Sequence, residues 1–135
     1  MSKDPAQVLR ASAVIAVVGA SRHLYKSAHT VPLSLQSHGF RIVPVNPEVS
    51  EIFGEKAYAT LADIPFPVDA VEVFRPAADA PAIAAQAVAI GARALWLQSG
   101  IVSPEAREIA EAAGLDYIED RCMAVDRALN QIQMR

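Results

Sequence analysis

One short stretch of this chain has the residue types and spacing to hold an anion. Gly19-Ala20-Ser21 follows the apolar run Val14-Ile15-Ala16-Val17-Val18 and precedes Arg22 and Lys26. An apolar run of that length reads as a strand buried on both faces. A strand that turns on small residues into a helix brings unpaired backbone N–H groups to one point, where the helix dipole also favours negative charge. The chemistry offered is therefore the grip of a phosphate, with Arg22 or Lys26 to neutralise it.

The elements that would position this loop can be followed along the chain. Residues 5–12 predict a short amphipathic helix at the sheet's edge. A helix begins near Ala28, tolerates Pro32 in its first turn, faces the sheet with Val31 and Leu35, and ends at Gly39. Arg41-Ile42-Val43-Pro44-Val45 is the second strand; Pro44 lacks a ladder donor and must lie at a bulge or near the strand's end. Asn46-Pro47 breaks it. Residues 48–68 form a long irregular connection with one helical turn at 61–64, and connections that long tend to be functional. Residues 69–74 are the third strand. Ile83, Ala87 and Ile90 share a helical face that closes at Gly91 before a strand at 94–98. Ser103-Pro104-Glu105 starts the next helix with an N-cap, a proline at the first helical position and an acid in the first turn. Its stripe is Ala106, Ile109, Ala110 and Ala113, and Gly114 closes it. Tyr117-Ile118 is the last strand and 123–132 the last helix. Glycine-ended helices alternating with strands predict an α/β fold, one doubly wound, Rossmann-like domain over residues 1–135. Its five-stranded sheet is mainly parallel, with the ligand at the strands' carboxyl ends.

In that fold five segments line one crevice: Gly19-Ala20-Ser21, Asn46-Pro47, Phe74-Arg75-Pro76, Gln98-Ser99-Gly100 and Glu119-Asp120-Arg121-Cys122. A nicotinamide dinucleotide fits them poorly. The G-x-G-x-x-G fingerprint has Gly19 alone, with Ser21 and Leu24 at the other two glycine positions, and Asn46-Pro47 stands where an acid would bind the ribose hydroxyls. Asn46 suits a phosphorylated ribose better, because a carboxylate there would repel the phosphate.

Composition narrows the partners. With 135 residues, 53% hydrophobic and 20% charged, the chain can bury a real core. A net charge of −3 argues against a nucleic-acid surface. The charge is unevenly spread, for no Asp or Glu lies between Pro5 and Pro47, where Arg10, Arg22, Lys26 and Arg41 fall. No apolar run reaches membrane-spanning length, and the N-terminus lacks a signal-peptide layout, so the expectation is a soluble, cytoplasmic protein. A lone Cys122 excludes an internal disulfide and a multi-cysteine metal site, and no metal is expected.

An ordered set of motifs then resembles one family. These are V-V-G-A-S at 17–21, A-H-T-V-P at 28–32, P-V-N-P at 44–47, L-A-D-I-P at 61–65, V-F-R-P at 73–76, W-L-Q-S-G at 96–100 and D-R-C at 120–122. Together they resemble the small stand-alone CoA-binding proteins, which are similar in fold to the CoA-binding domain of the succinyl-CoA synthetase α subunit. The resemblance spans roughly residues 14–129. It implies coenzyme A, or an acyl-CoA, as the ligand. Gly19, Ala20, Ser21 and Lys26 would hold the diphosphate, with Arg22 adjoining them. Asn46 and Pro47 would lie along the ribose, and Phe74, Arg75 and Pro76 beside the adenine. Gln98, Ser99 and Gly100 would follow the pantetheine arm, with Cys122 near its thiol end. The synthetases' phosphohistidine and ATP-grasp regions have no counterpart, so a binding module is expected rather than an enzyme, with no catalytic residue assigned.

Several residues keep a second reading. Ser21 could simply cap the next turn, and Arg22 and Lys26 could be solvated. Arg75 either contacts the ligand or pairs with Asp69, Glu72 or Asp120. His29 is expected to cap or pack, and Trp96 to sit in the core with one acceptor for its indole N–H. Cys122 is either buried and inert or, beside Arg121 at a helix N-terminus, a thiolate able to form a mixed disulfide with CoA. That thiol-redox role and an NAD(P)-binding, oxidoreductase-like module are the alternatives to plain CoA binding. Protein partners are unknown from the sequence.

Overall fold

The computed structural model describes residues 4–134. Its strands are β1 (Val14–Val18), β2 (Arg41–Val45), β3 (Glu51–Ile52), β4 (Glu55–Lys56), β5 (Ala70–Val73), β6 (Ala94–Leu97) and β7 (Asp116–Ile118). The helices are α1 (Pro5–Arg10), α2 (Ser27–Ser37), α3 (Ala80–Ala89), α4 (Pro104–Ala112) and α5 (Met123–Leu129). Five strands form one parallel sheet in the order β2-β1-β5-β6-β7. The order reverses between β1 and β5, and this doubly wound topology leaves its ligand crevice at such a reversal. The expected α/β Rossmann-like fold with a parallel five-stranded sheet is the fold found.

Alternation along the strands divides the core in two. Ile15, Val17, Ile42, Ala70, Trp96 and Ile118 face one side, against Leu9, Val31, Leu35 and Met123 of the helices α1, α2 and α5. Ala16, Val71, Val73, Leu95 and Leu97 face the other, against Ala80, Ile83, Ala84 and Ala87 of α3 and Ala106 and Ala110 of α4. Each fully buried Val, Leu, Ile or Met side chain of this set contributes roughly 1.5–3 kcal/mol. Small alanines on α3 and α4 let those two helices pack against each other over this face of the sheet. Trp96 is fully buried, and its indole N–H donates to the Arg121 carbonyl at 2.8 Å.

The structure differs from the sequence expectations in four places. Residues 48–68 are not irregular throughout: β3 and β4 form an antiparallel hairpin, followed by the expected helical turn as a 3-10 segment at Leu61–Asp63. Pro32 is not in the first turn, since α2 begins at Ser27 and the proline lies inside the helix. α5 ends at Leu129 because Gln131 takes a left-handed backbone (φ 52) and the chain folds back, burying Ile132 in the core. Ala113 caps α4 and is exposed, so the buried stripe there is Ala106 and Ala110. Pro44 is accommodated because β2 is the edge strand of the sheet.

Glu72, in the middle of β5 between Val17 and Trp96, is completely buried. Gln98 Nε2 donates to its Oε2, while Oε1 has no partner among the described residues. Burial pushes this carboxyl up to about 8, against a smaller downward pull from Gln98, so the side chain is neutral at pH 7.

Candidate functional site

The loop after β1 is held by backbone contacts that the sequence explains. Gly19 N–H donates to the Val45 carbonyl at 3.1 Å, and Ser21 N–H donates to the Ala28 carbonyl at 3.1 Å. The Ala28 carbonyl is available because the residue four positions on, Pro32, has no N–H to give it. The interior proline thus frees an acceptor that ties the loop to α2. His29 Nδ1 lies 2.7 Å from the Ser21 carbonyl, which can only accept, so the ring's proton sits on Nδ1. Asn46 closes the arrangement from the end of β2: its Nδ2 donates to the Ala20 carbonyl at 2.9 Å and its Oδ1 accepts from Glu48 N–H at 2.8 Å.

Among the described residues, this leaves the amides of Ala20, Arg22, Leu24, Tyr25, Ser27 and Ala28 with no protein acceptor. Ala20 and Arg22 adjoin the end of β1, Leu24 and Tyr25 lie further along the loop, and Ser27 and Ala28 are in the first turn of α2, where the helix dipole is positive. Ser21 Oγ accepts from His23 N–H at 3.0 Å, so it does cap the next turn. Gly19 has φ 88, and a Cβ on it would stand 3.0 Å from the Phe74 carbonyl oxygen and 3.1 Å from Arg75 Cδ. Gly19 therefore marks a close approach between the chain after β1 and the chain after β5.

A cleft of about 1250 Å³ opens over this point. Gly19, Ala20, Ser21, Arg22, Lys26, Asn46, Pro47, Phe74 and Arg75 line it together. Pro76, Gln98, Ser99, Gly100 and Cys122 do not line it. Gln98 is buried against Glu72, and Gly100 N–H donates to Asp120 Oδ1 at 2.6 Å. Cys122 packs half-buried against the core at the start of α5. Its neighbour Arg121 places Nε and Nη2 on the buried Asp126 carboxylate at 2.8 and 2.6 Å, so that cation is committed to an ion pair.

Arg75 pairs with none of the three acids considered for it. Its Nε and Nη2 both donate to Asp79 Oδ2, at 3.2 and 3.0 Å. Asp69 instead accepts from Val14 N–H, Glu72 from Gln98 and Asp120 from Gly100. The sequence reading also missed one wall of the cleft: Ala59 and Thr60 after the hairpin, and Asp79, Ala82, Ile83 and Gln86 around α3. It gathered residues immediately after strands, whereas α3 turns back over the crevice. The i, i+4 pair Ala82 and Gln86 at exposed positions of α3 was the signal that could have found it.

The Asn46 brace gives a direct expectation. In Asn46→Asp the donor facing the Ala20 carbonyl becomes a second acceptor, which costs about 1–3 kcal/mol. The variant should melt several degrees lower by circular dichroism, and an unchanged melting temperature would contradict the bracing role.

The sequence model of the family described as a CoA binding domain matches residues 13–128. Uncharacterized protein YneT of Bacillus subtilis (strain 168) is 35% identical over 125 residues, covering 93% of both chains. The solved structure of cell-free ID.343 from Thermus thermophilus superposes with a TM-score of 0.88 at 36% identity, covering 94% of this chain and 98% of that one. Acetate--CoA ligase [ADP-forming] II of Archaeoglobus fulgidus is 33% identical over 99 residues, which are 72% of this chain but 15% of the ligase.

Proposed function

The chain belongs to the CoA binding domain family, and from that premise we propose that it binds coenzyme A, or an acyl-CoA, in the cleft at the β1–β5 reversal without catalysing a reaction by itself. The observation that carries this is the set of amides left free in the loop and the first turn of α2, beside Arg22 and Lys26 and with no acid in the loop. Charge-assisted hydrogen bonds from such donors are worth about 1.5–3 kcal/mol each. The diphosphate sits there. The ribose lies along Asn46 and Pro47, and the adenine beside Phe74 and Arg75. Asn46 contributes chiefly by holding the loop, since both ends of its amide are already bonded to backbone. The pantetheine arm leaves the cleft toward the ends of β6 and β7.

Asn46 rather than a carboxylate stands at the end of β2, which favours a phosphorylated ribose over that of NAD. Isothermal titration tests the reading. CoA should bind at least about tenfold more tightly than dephospho-CoA, the difference expected of one charge-assisted contact, and more tightly than NAD. No detectable CoA binding would overturn it.

A further inference from the structure

The cleft extends beyond the phosphate loop. Val45, Ala59, Ala82 and Ile83 give it apolar walls, and the polar side chains there include Thr60 and Gln86. Thr60 Oγ1 donates to Asp63 Oδ2 at 3.0 Å, so its hydroxyl proton is spent. Gln86 differs: it stands exposed on α3, one turn after Ala82, and its carboxamide has no partner among the described residues. The Arg75 guanidinium, fixed by two bonds to one oxygen of Asp79, lines the same cleft. An apolar slot with a bound guanidinium and one free carboxamide suits a flat heteroaromatic ring whose edge carries a donor beside an acceptor. Adenine has that edge, with its N6 amino group beside a ring nitrogen, and glutamine pairs with it in two hydrogen bonds.

We propose that Gln86 is the residue that reads the base, its carboxamide pairing with the N6 edge of the adenine while Arg75 lies against the ring. This rests on the reading of the cleft as a coenzyme A site and adds to it a specificity-determining residue on α3. The side chain is exposed and bonds to no described residue, so its replacement leaves the fold intact.

The test compares CoA with 1,N6-etheno-CoA, in which the N6 amino group is closed into a ring and can no longer donate. Wild type and Gln86→Leu are titrated with both, with thermal melts to confirm that the variant is folded. Wild type should prefer CoA by about tenfold or more, the value of a two-bond base contact. Gln86→Leu should lose most of that preference through weaker CoA binding, with its etheno-CoA affinity little changed. A variant that keeps the wild-type preference would overturn the role of Gln86 while leaving CoA binding standing. Wild type that binds neither compound would overturn the CoA reading itself, and this inference with it.

Discussion

Glu72→Gln gains stability relative to the wild type as pH rises from about 5 to 9. The carboxyl stands near 4.5 when unrestrained and near 8 in the folded chain, where burial dominates. Between those values the unfolded state has released its proton and the folded state still holds it. The unfolded state therefore binds fewer protons, and stability falls as pH rises. Below about 4.5 the group has no effect, and above about 8 the loss is complete. At ~1.4 kcal/mol per pH unit, the window amounts to roughly 4–5 kcal/mol. Glutamine keeps the shape and does not titrate. It places an amide where Oε1 has no partner among the described residues, so at pH 5 the variant should be equal to the wild type or about 1 kcal/mol less stable. The two stability curves then cross and separate. Urea unfolding at pH 5, 7 and 9 measures the difference directly, and a difference that stays constant with pH would contradict this account of Glu72.

Gly19→Ala is the second large effect, and it falls on the ligand as well as on the fold. The residue holds φ 88, where a side chain is strained, and the new Cβ would meet the Phe74 carbonyl oxygen at 3.0 Å and its carbon at 3.2 Å. Those atoms are backbone at the end of β5 and cannot swing aside as a flexible side chain would. Arg75 Cδ lies at 3.1 Å on the same side and must also give way by a few tenths of an ångström. Backbone strain and crowding together cost about 2–3 kcal/mol. If the loop relaxes when empty, the same cost reappears on binding as a roughly 30- to 150-fold rise in Kd for CoA. Paired melting and titration experiments register the loss in one or the other. Wild-type values in both would contradict the close approach of β1 and β5.

Much of the scaffold was legible because the signals that build it are local. β1 is apolar throughout, as a central parallel strand must be, and Gly39, Gly91 and Gly114 mark where three helices end, each with positive φ. The β3–β4 hairpin left a weaker mark, Gly54 (φ 72) alone in its turn. Its strands are two residues each, and its turn begins on Phe53 at φ 61, a position where a bulky residue is rare. Phe53 is held there from outside the hairpin, by Gln36 Nε2 on its carbonyl at 3.0 Å and by the His29 ring at 5.0 Å. Tertiary contacts of that kind cannot be read from local propensity.

The candidate site divides along the same line. The loop residues and those after β2 and β5 could be collected from sequence, because the topology brings strand ends together. The partner of Arg75 could not, since Asp79 becomes its neighbour only where the chain winds into a 3-10 turn before α3. Nor could Gln86, which enters the cleft from a helix face. Gln98 and Cys122 follow strand ends as the rule requires, but one is drawn inward by Glu72 and the other packs on the core.

The central claim is that the free amides of the β1–α2 turn grip the diphosphate of coenzyme A. An amide-resolved NMR titration with CoA tests it most directly. The account predicts saturable shifts that are largest at the N–H groups of Ala20, Arg22, Ser27 and Ala28, reproduced in part by adenosine 3′,5′-bisphosphate. Saturable shifts that leave those four amides unmoved, or no shifts at all, would contradict it.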